Sequence, residues 1–184
     1  MQHFGGFTAE MYDHVFELLL RLKGNYLWPA MWTSSFVLDG PGEESAKLAD
    51  EYGVIMGNSH HEPCMRASEE WDIYKGEDTP YGTAWDYTTN KEGLLAYWKE
   101  GLKRSSKYEN IITIGMRGER DSVMQGTNTL VDNIAVLKDI ITQQNRLICQ
   151  YADTKEKKIP KLLAIYKEVE RYFYGTKEVP GLRE

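Results

Sequence analysis

The feature that most constrains the fold of this chain is a regular alternation between helical and strand-like hydrophobic patterns. Each of four short apolar runs follows a segment with helical periodicity, and the runs are NYLWPAMW from Asn25, VIMGNS from Val54, NIITIGMRG from Asn110 and KLLAIYKEV from Lys161. Apolar strands that alternate with helices predict a parallel sheet covered by helices. The predicted fold class is therefore α/β, with about four parallel strands and flanking helices.

The helical segments carry end signals of their own. Helices are predicted over residues 8–24, 43–52, 91–107 and 127–151. Thr8 is a residue type that caps a helix N-terminus, and Gly24 and Gly53 are the type that ends a helix. Residues 62–90, called the insert below, are predicted to be irregular; their aromatic content is typical of a long ordered loop with a functional role.

Two arrangements of such a sheet are possible, an open doubly wound sheet and a closed barrel. The nucleotide-binding patterns GxGxxG and GxxxxGK[ST] are both absent, which disfavours the open sheet. Each strand runs directly into a polar cluster, as in barrels whose active sites lie at the C-terminal ends of the strands. A complete barrel needs eight strands and about 250 residues. The prediction for residues 1–184 is a partial (β/α)8 TIM barrel, incomplete at both ends.

Charge and composition exclude several classes of partner. The chain has 22 Lys plus Arg against 28 Asp plus Glu, a formal net charge of −6, and no basic block, so nucleic acid is not expected to bind. No apolar run approaches the roughly 20 residues of a membrane span. Cys64 and Cys149 form no disulfide framework. The first residues lack the pattern of a secretory signal, and a parent polypeptide is nevertheless expected to be secreted or periplasmic.

Four long blocks resemble the signature blocks of glycoside hydrolase family 115, the xylan α-1,2-glucuronidases. They are LKGNYLWPAMW, ADEYGVIMGNSHHEPCMR, NIITIGMRGERD and YKEVERYF, and they span nearly the whole chain in order. The resemblance implies part of the catalytic (β/α) barrel of a multidomain, inverting enzyme that needs no cofactor and acts on glucuronoxylan or its oligosaccharides. It also implies that the missing strands of the parent polypeptide complete the barrel, so the chain alone is expected to be inactive.

Three charged residues beyond strand ends are predicted to carry the chemistry. Arg117 matches the family's uronate-site arginine, and a planar bidentate donor suits a carboxylate; the alternative is that it neutralises Asp121 or Glu119. An inverting glycosidase needs one acidic and one basic carboxyl group. The resemblance favours Asp121 as general acid and Glu168 as base, orienting residue or substrate ligand. The alternative for both is an ordinary helix N-terminal carboxylate.

Two aromatic residues are predicted to shape the substrate pocket. The resemblance favours Trp32 rather than Trp28 as the apolar platform under a pyranose ring, although tryptophans near strands are more often core residues. Tyr166 carries the same two interpretations. In extended geometry Tyr166 and Glu168 share one face of the strand, which predicts that both line the pocket.

Adjacent histidines follow the second strand. Neighbouring residues of an extended segment point in opposite directions, so His60 and His61 are poorly spaced as ligands of one ion, and no metal is predicted. The resemblance favours a histidine that hydrogen-bonds a sugar hydroxyl or carboxylate, with either of the two facing the cleft.

The function predicted from the sequence is therefore cleavage of α-1,2-linked glucuronic or 4-O-methylglucuronic acid side groups from xylan. Two alternatives remain open. One is a non-catalytic carbohydrate-binding or inactive remnant, and the other is a metal-dependent hydrolase that uses the His60 and His61 cluster.

Overall fold

The computed structural model describes residues 3–40, 42–126, 128–154 and 158–175. Its elements in chain order are α1 (Ala9–Arg21), β1 (Tyr26–Leu27), α2 (Glu44–Tyr52), β2 (Ile55–Met56), α3 (Ser68–Tyr74), α4 (Lys91–Ser105), β3 (Ile112–Thr113), α5 (Leu130–Tyr151), β4 (Lys161–Leu162) and α6 (Glu168–Gly175). Two 3₁₀ turns cover Pro63–Met65 and Glu119–Asp121.

All four strands are parallel and two residues long. Leu27 of β1 lies opposite Met56 of β2, and Thr113 of β3 lies opposite Leu162 of β4. Met56 also forms a parallel bridge with Asn110, two residues before the start of β3. Spatial order therefore follows chain order from β1 to β4. The predicted parallel α/β arrangement with flanking helices is confirmed, with strands shorter than the apolar runs that contain them.

The helix ends lie close to where the sequence signals put them. The Thr8 hydroxyl accepts a hydrogen bond from the backbone N of Met11 at 3.4 Å, and Gly53 ends α2 with a left-handed φ of 66°. Such N-caps stabilise a helix by about 1 kcal/mol. α5 begins at Leu130 because Thr129 caps it. The predicted first residue of that helix, Thr127, lies outside the described residues.

The insert is not irregular throughout, because it contains α3. The Glu70 carboxylate is buried and accepts hydrogen bonds from the backbone N of Ala67 at 3.0 Å, from Arg66 at 2.8 Å and from Arg104 of α4 at 2.8 Å. Trp71 is buried beside it. These contacts fix a seven-residue helix that is too short to show a clear hydrophobic period.

The fourth strand is also shorter than predicted. β4 ends at Leu162, Lys167 has a left-handed φ of 53°, and α6 begins at Glu168. The prediction that Tyr166 and Glu168 share a face through extended geometry is therefore wrong. The turn at Lys167, rather than strand periodicity, determines where the two side chains lie.

Two buried clusters hold the helices against the sheet. The larger joins α3, α4, α5 and β3, and its largest fully buried members include Trp71, Trp98, Tyr97, Leu94, Leu102, Ile112 and Ile140. The smaller joins α1, α2 and β2 through Tyr12, Phe16, Phe36, Ala49, Val54 and Met56. Both cysteines are free, as predicted. Within the described ranges, no helix combines the length and apolar character that a membrane span requires.

Candidate active site

The seven predicted site residues follow the C-terminal ends of the four parallel strands. One residue follows β1, and two follow each later strand; in chain order they are Trp32, His60, His61, Arg117, Asp121, Tyr166 and Glu168, the last being the first residue of α6. Direct contacts link all seven side chains into one cluster. The sequence expectation that these residues lie together is met, while their catalytic and binding roles remain predictions.

The strand ends that carry the cluster are fixed by buried polar contacts. The Thr113 hydroxyl donates to the backbone O of Asn58 at 2.6 Å and joins the ends of β2 and β3. The Gln144 side chain, buried in α5, binds both backbone groups of Gly115 at 2.7 and 2.9 Å. Gly115 has φ +93°, and a Cβ there would lie 2.8 Å from Leu163. The backbone that leads into Arg117 is therefore held rigidly.

Arg117 is 3% exposed and connects the two predicted catalytic carboxylates. Its Nε and Nη2 donate to the Glu168 carboxylate at 3.1 and 2.8 Å. Its Nη1 donates to the backbone O of Asp121 at 2.6 Å and also contacts the Asp121 carboxylate. Neutralisation of Asp121, the structural alternative for Arg117, is thus present in the structure. Glu119 instead pairs with Lys75 at 3.0 Å.

Asp121 lies in the 3₁₀ turn after β3 and is surrounded by donors. Its Oδ1 is 2.8 Å from His60 Nε2, and its Oδ2 is 3.0 Å from Lys167 Nζ. Together with Arg117, these partners stabilise the ionised carboxylate. Asp121 is not a helix N-terminal residue, whereas Glu168 is the first residue of α6 and still directs its carboxylate to Arg117.

The aromatic side chains form a continuous row beside these charges. Trp32 stacks on His61 at 5.1 Å with an interplanar angle of 19°, and His60 lies edge-on to both His61 and Tyr166 at 4.9 Å. Trp32 and Tyr166 are 42% and 47% exposed, so each offers a free surface at one end of the row. Trp28 lies outside the row and donates to Tyr26.

Burial disfavours the charged form of both histidines. Burial lowers the pKa of His61 to about 4, and the positive charges of Arg117 and Lys167 act in the same direction. Burial, followed by the same two cations, also lowers the pKa of His60. His60 contacts the carboxylate of Asp121, while His61 lies beneath Trp32.

His60 and His61 lie in a turn and not in an extended segment, so the prediction that they are poorly spaced as ligands of one ion is wrong. One ligand atom each from His60, His61 and Asp121 lie within 4.8 Å of one another. Arg117 and Lys167 already balance the Asp121 charge, however, and their proximity disfavours a further cation. The expectation of no metal remains a prediction.

A model of glycosyl hydrolase family 115 matches residues 1–182 of the chain. The chain belongs to this family. Among solved structures, it is similar to BtGH115A, described as a family 115 4-O-methyl-α-glucuronidase with specificity for decorated arabinogalactans, at 33% identity and a TM-score of 0.82. The similarity covers 94% of this chain and 22% of that one, so the chain spans about a fifth of its length. No curated protein matches the chain. The resemblance found in the sequence is confirmed.

Two residues that contribute to this family 115 site were missed by the sequence analysis. The Lys167 side chain is 44% exposed. Its Nζ lies 5.1 Å from the centre of the Tyr166 ring and 3.0 Å from Asp121 Oδ2. Ser59 places its hydroxyl between the two histidine rings. Both are sequence neighbours of predicted site residues. Lys167 was missed because strand alternation would turn it away from the cluster, whereas its left-handed φ of 53° turns it inward.

Left-handed backbone recurs at non-glycine residues of this site. Trp32, Asp121 and Lys167 have φ values of 56°, 62° and 53°. Such conformations cost on the order of 1–3 kcal/mol each and persist where surrounding contacts fix them. In the family 115 chain these three residues lie after three different strands, and their side chains meet at Asp121 or His61.

Glu62 fixes the histidine turn, the turn that contains His60 and His61. Its buried carboxylate accepts a hydrogen bond from the backbone N of Ser68 at 2.8 Å, and its own backbone N donates to the Ser59 carbonyl at 3.0 Å. Burial raises the pKa of Glu62, against the effect of its hydrogen bonds to Ser68, Ser59 and Asn58. Glu62 therefore has a structural role in placing His60 and His61.

An apolar recess lies away from this cluster. It has a volume of about 700 Å³, opens to solvent, and is bounded by α2, β2 and the C-terminal end of α4. Its lining includes none of the seven predicted site residues. The candidate active site is instead a rim formed at the strand ends.

Proposed function

We propose that the chain forms part of the catalytic barrel of an α-glucuronidase that removes glucuronic or 4-O-methylglucuronic acid side groups from a plant polysaccharide. The observation that carries the proposal is the pairing of Asp121 and Glu168 through Arg117, at the ends of parallel strands and between two exposed aromatic residues. Four consecutive parallel strands with outer helices support a partial (β/α)8 barrel, since strand-end sites are typical of that fold.

The substrate proposed from the sequence is glucuronoxylan or its oligosaccharides. Decorated arabinogalactan, the polysaccharide named for BtGH115A, is a second substrate to compare. Both would present a uronic acid with one negative charge. The exposed faces of Trp32 and Tyr166 suit a sugar ring, and Lys167 with Arg117 suits its carboxylate. We propose that the parent protein is secreted or periplasmic, because a polymeric substrate of this size would be met outside the cytoplasm.

The bound uronate would control the protonation of Asp121. A substrate carboxylate competes for Lys167 and Arg117, and it adds a negative charge near Asp121. Both effects favour the protonated form of Asp121. Asp121 then gives its proton to the glycosidic oxygen as general acid, and a carboxylate on the opposite face activates the water that attacks the anomeric carbon with inversion.

Glu168 has a defined place in this mechanism. Its two hydrogen bonds from Arg117 make it the residue that orients the guanidinium. Its carboxylate also qualifies as the base. The missing strands of the parent polypeptide would supply the remaining carboxylates and complete the rim.

The proposal is tested by incubating the full-length protein with glucuronoxylan and with decorated arabinogalactan. Release of glucuronic or 4-O-methylglucuronic acid is expected, and proton NMR should detect the β-anomer first, because inversion converts the α-linkage. Binding of the sugar acid without release would support the inactive-remnant alternative. The ligand spacing of His60, His61 and Asp121 favours a second candidate, a metal-dependent hydrolase. Loss of activity with a chelator, restored by a divalent cation, would support it.

A further inference from the structure

A continuous chain of hydrogen-bonding groups leads from Asp121 into the protein. His60 Nε2 lies 2.8 Å from Asp121 Oδ1, and His60 Nδ1 lies 3.2 Å from the Ser59 hydroxyl oxygen. The same oxygen lies 3.0 Å from Nδ1 of His61. His61 Nε2, at the inner end, is buried and has no hydrogen-bond partner among the described residues.

Proton counting fixes the direction of every bond in this chain. An ionised Asp121 only accepts, so His60 carries its proton on Nε2. A neutral His60 then accepts at Nδ1, and the single hydroxyl hydrogen of Ser59 is donated to it. The Ser59 oxygen must therefore accept from His61, which carries its proton on Nδ1. The two histidines are in opposite tautomers, and His61 Nε2 holds a lone pair.

Both rings are taken as neutral, the form that burial favours. Burial is the main cause that lowers the pKa of each ring. Arg117 and Lys167 face both rings and lower the pKa further. At His60 this effect is opposed by Glu62 and Glu168, and also by the Asp121 carboxylate, whose Oδ1 lies 2.8 Å from Nε2.

Transfer of one proton along each bond reverses all three. His60 passes its Nε2 proton to Asp121 Oδ1, Ser59 passes its hydroxyl proton to His60 Nδ1, and His61 passes its Nδ1 proton to Ser59, while His61 Nε2 takes up one proton. Asp121 then donates to His60 Nε2, His60 Nδ1 donates to Ser59, and the Ser59 hydroxyl donates to His61 Nδ1. The reversed state holds one more proton than the first, taken up from solvent, and no covalent bond between heavy atoms changes. In both states the Ser59 hydroxyl satisfies the two Nδ1 atoms.

We propose that Ser59 is a positioning residue that couples the tautomers of His60 and His61 to the charge state of Asp121. Its hydroxyl can donate to one ring while it accepts from the other. It can therefore hydrogen-bond both histidines whether Asp121 is protonated or ionised. The catalytic consequence rests on the proposed function, in which Asp121 alternates between these forms during turnover. The tautomer pattern of His60 and His61 does not depend on the proposed function.

The first experiment measures tautomers in the full-length protein labelled with ¹⁵N-histidine. The nitrogen shifts should show His60 protonated on Nε2 and His61 on Nδ1 near pH 7. In Ser59→Ala this fixed pair of opposite tautomers should be lost, whereas Ser45→Ala should leave it unchanged. Ser45 is the matched control because it is equally buried and its hydroxyl has no partner among the described residues. The same tautomer at both rings of the wild type would overturn the proposal without any variant.

The second experiment measures turnover of the uronate substrate. Ser59→Ala should lower kcat on the order of tenfold, less than the 10²- to 10⁴-fold contribution of a general acid itself, with KM unchanged. Ser59→Thr, which keeps the hydroxyl, should recover most of kcat. An unchanged kcat in Ser59→Ala would overturn the catalytic consequence. Absence of turnover in the wild type would instead count against the proposed function, and the tautomer measurement would still decide the coupling.

Discussion

Arg117 donates two hydrogen bonds to the carboxylate of Glu168, from Nε at 3.1 Å and from Nη2 at 2.8 Å. The pair joins the loop after β3 to the first residue of α6, and Arg117 also contacts Asp121 through Nη1. An arginine expected to receive a substrate carboxylate is thus already engaged by two protein carboxylates. Arg117 therefore contributes to substrate recognition also by orienting the carboxylates of Asp121 and Glu168.

Arg117→Lys in the full-length protein should lower kcat/KM for the uronate substrate by about 10- to 150-fold. A lysine ammonium cannot reproduce the paired hydrogen bonds, and hydrogen bonds to charged groups contribute about 1.5–3 kcal/mol. Steady-state kinetics measures the change. Arg21→Lys is the control, because Arg21 makes an exposed pair with Glu17 on α1. Equal kcat/KM in the two variants would make Arg117 a purely structural residue.

Trp32→Ala should raise KM about 2- to 10-fold, since an aromatic contact contributes about 0.5–1.5 kcal/mol. Trp28→Ala is a matched control, because Trp28 is 39% exposed against 42% for Trp32, and the tryptophan that stacks on His61 is Trp32. Substrate titrations of kcat and KM distinguish the two variants. A similar increase in KM for both would remove the case for Trp32 as the sugar platform.

The sequence predicted those features that depend on local signals or on strand direction. Thr8 and Gly53 mark helix ends through their own backbone chemistry, and parallel strands bring their C-terminal ends to one edge wherever they pair. The positions of Tyr166 and Glu168 could not be derived in this way, because a left-handed Lys167 replaces the predicted strand there. Such a conformation depends on tertiary contacts that no local pattern encodes.

Two other misses have the same physical origin. α3 forms around the buried Glu70, whose partner Arg104 is 34 residues away in the chain. The histidine turn depends on Glu62, whose carboxylate binds backbone beyond the turn. In both cases a buried charge satisfied by distant groups determines local structure. Hydrophobic periodicity contains no information about such contacts.

Acidification should destabilise the native protein through His61. Its folded pKa of about 4 lies below the ordinary value of 6.5, so the unfolded state binds more protons between these values. The contribution of neutral His61 is complete above about pH 6.5 and is lost as pH falls toward 4, up to about 3 kcal/mol. Melting temperatures from pH 7 to pH 4 should therefore fall less in His61→Gln. Identical pH dependence in both proteins would contradict the burial of a neutral ring.

The isolated 184-residue chain should associate and should not turn over substrate. In the described part of the chain, β1 and β4 are the outermost strands, and each leaves one edge without a neighbouring strand. Apolar side chains such as Leu22 and Val131 are 72% and 75% exposed. Light scattering and assay of released sugar acid check both statements. A monodisperse, active monomer would show that these residues form a complete catalytic unit.

The most direct test of Asp121 as the general acid compares two leaving groups in Asp121→Asn of the full-length protein. Asparagine cannot supply the proton, so kcat on a polysaccharide or oligosaccharide substrate should fall 10²- to 10⁴-fold. An aryl glucuronide with an acidic phenol leaves without protonation, so its turnover should fall far less. The expected result is a much larger loss of kcat on the polysaccharide or oligosaccharide than on the aryl glucuronide. An equal loss on both substrates, or unchanged release from the polysaccharide, would contradict Asp121 as general acid.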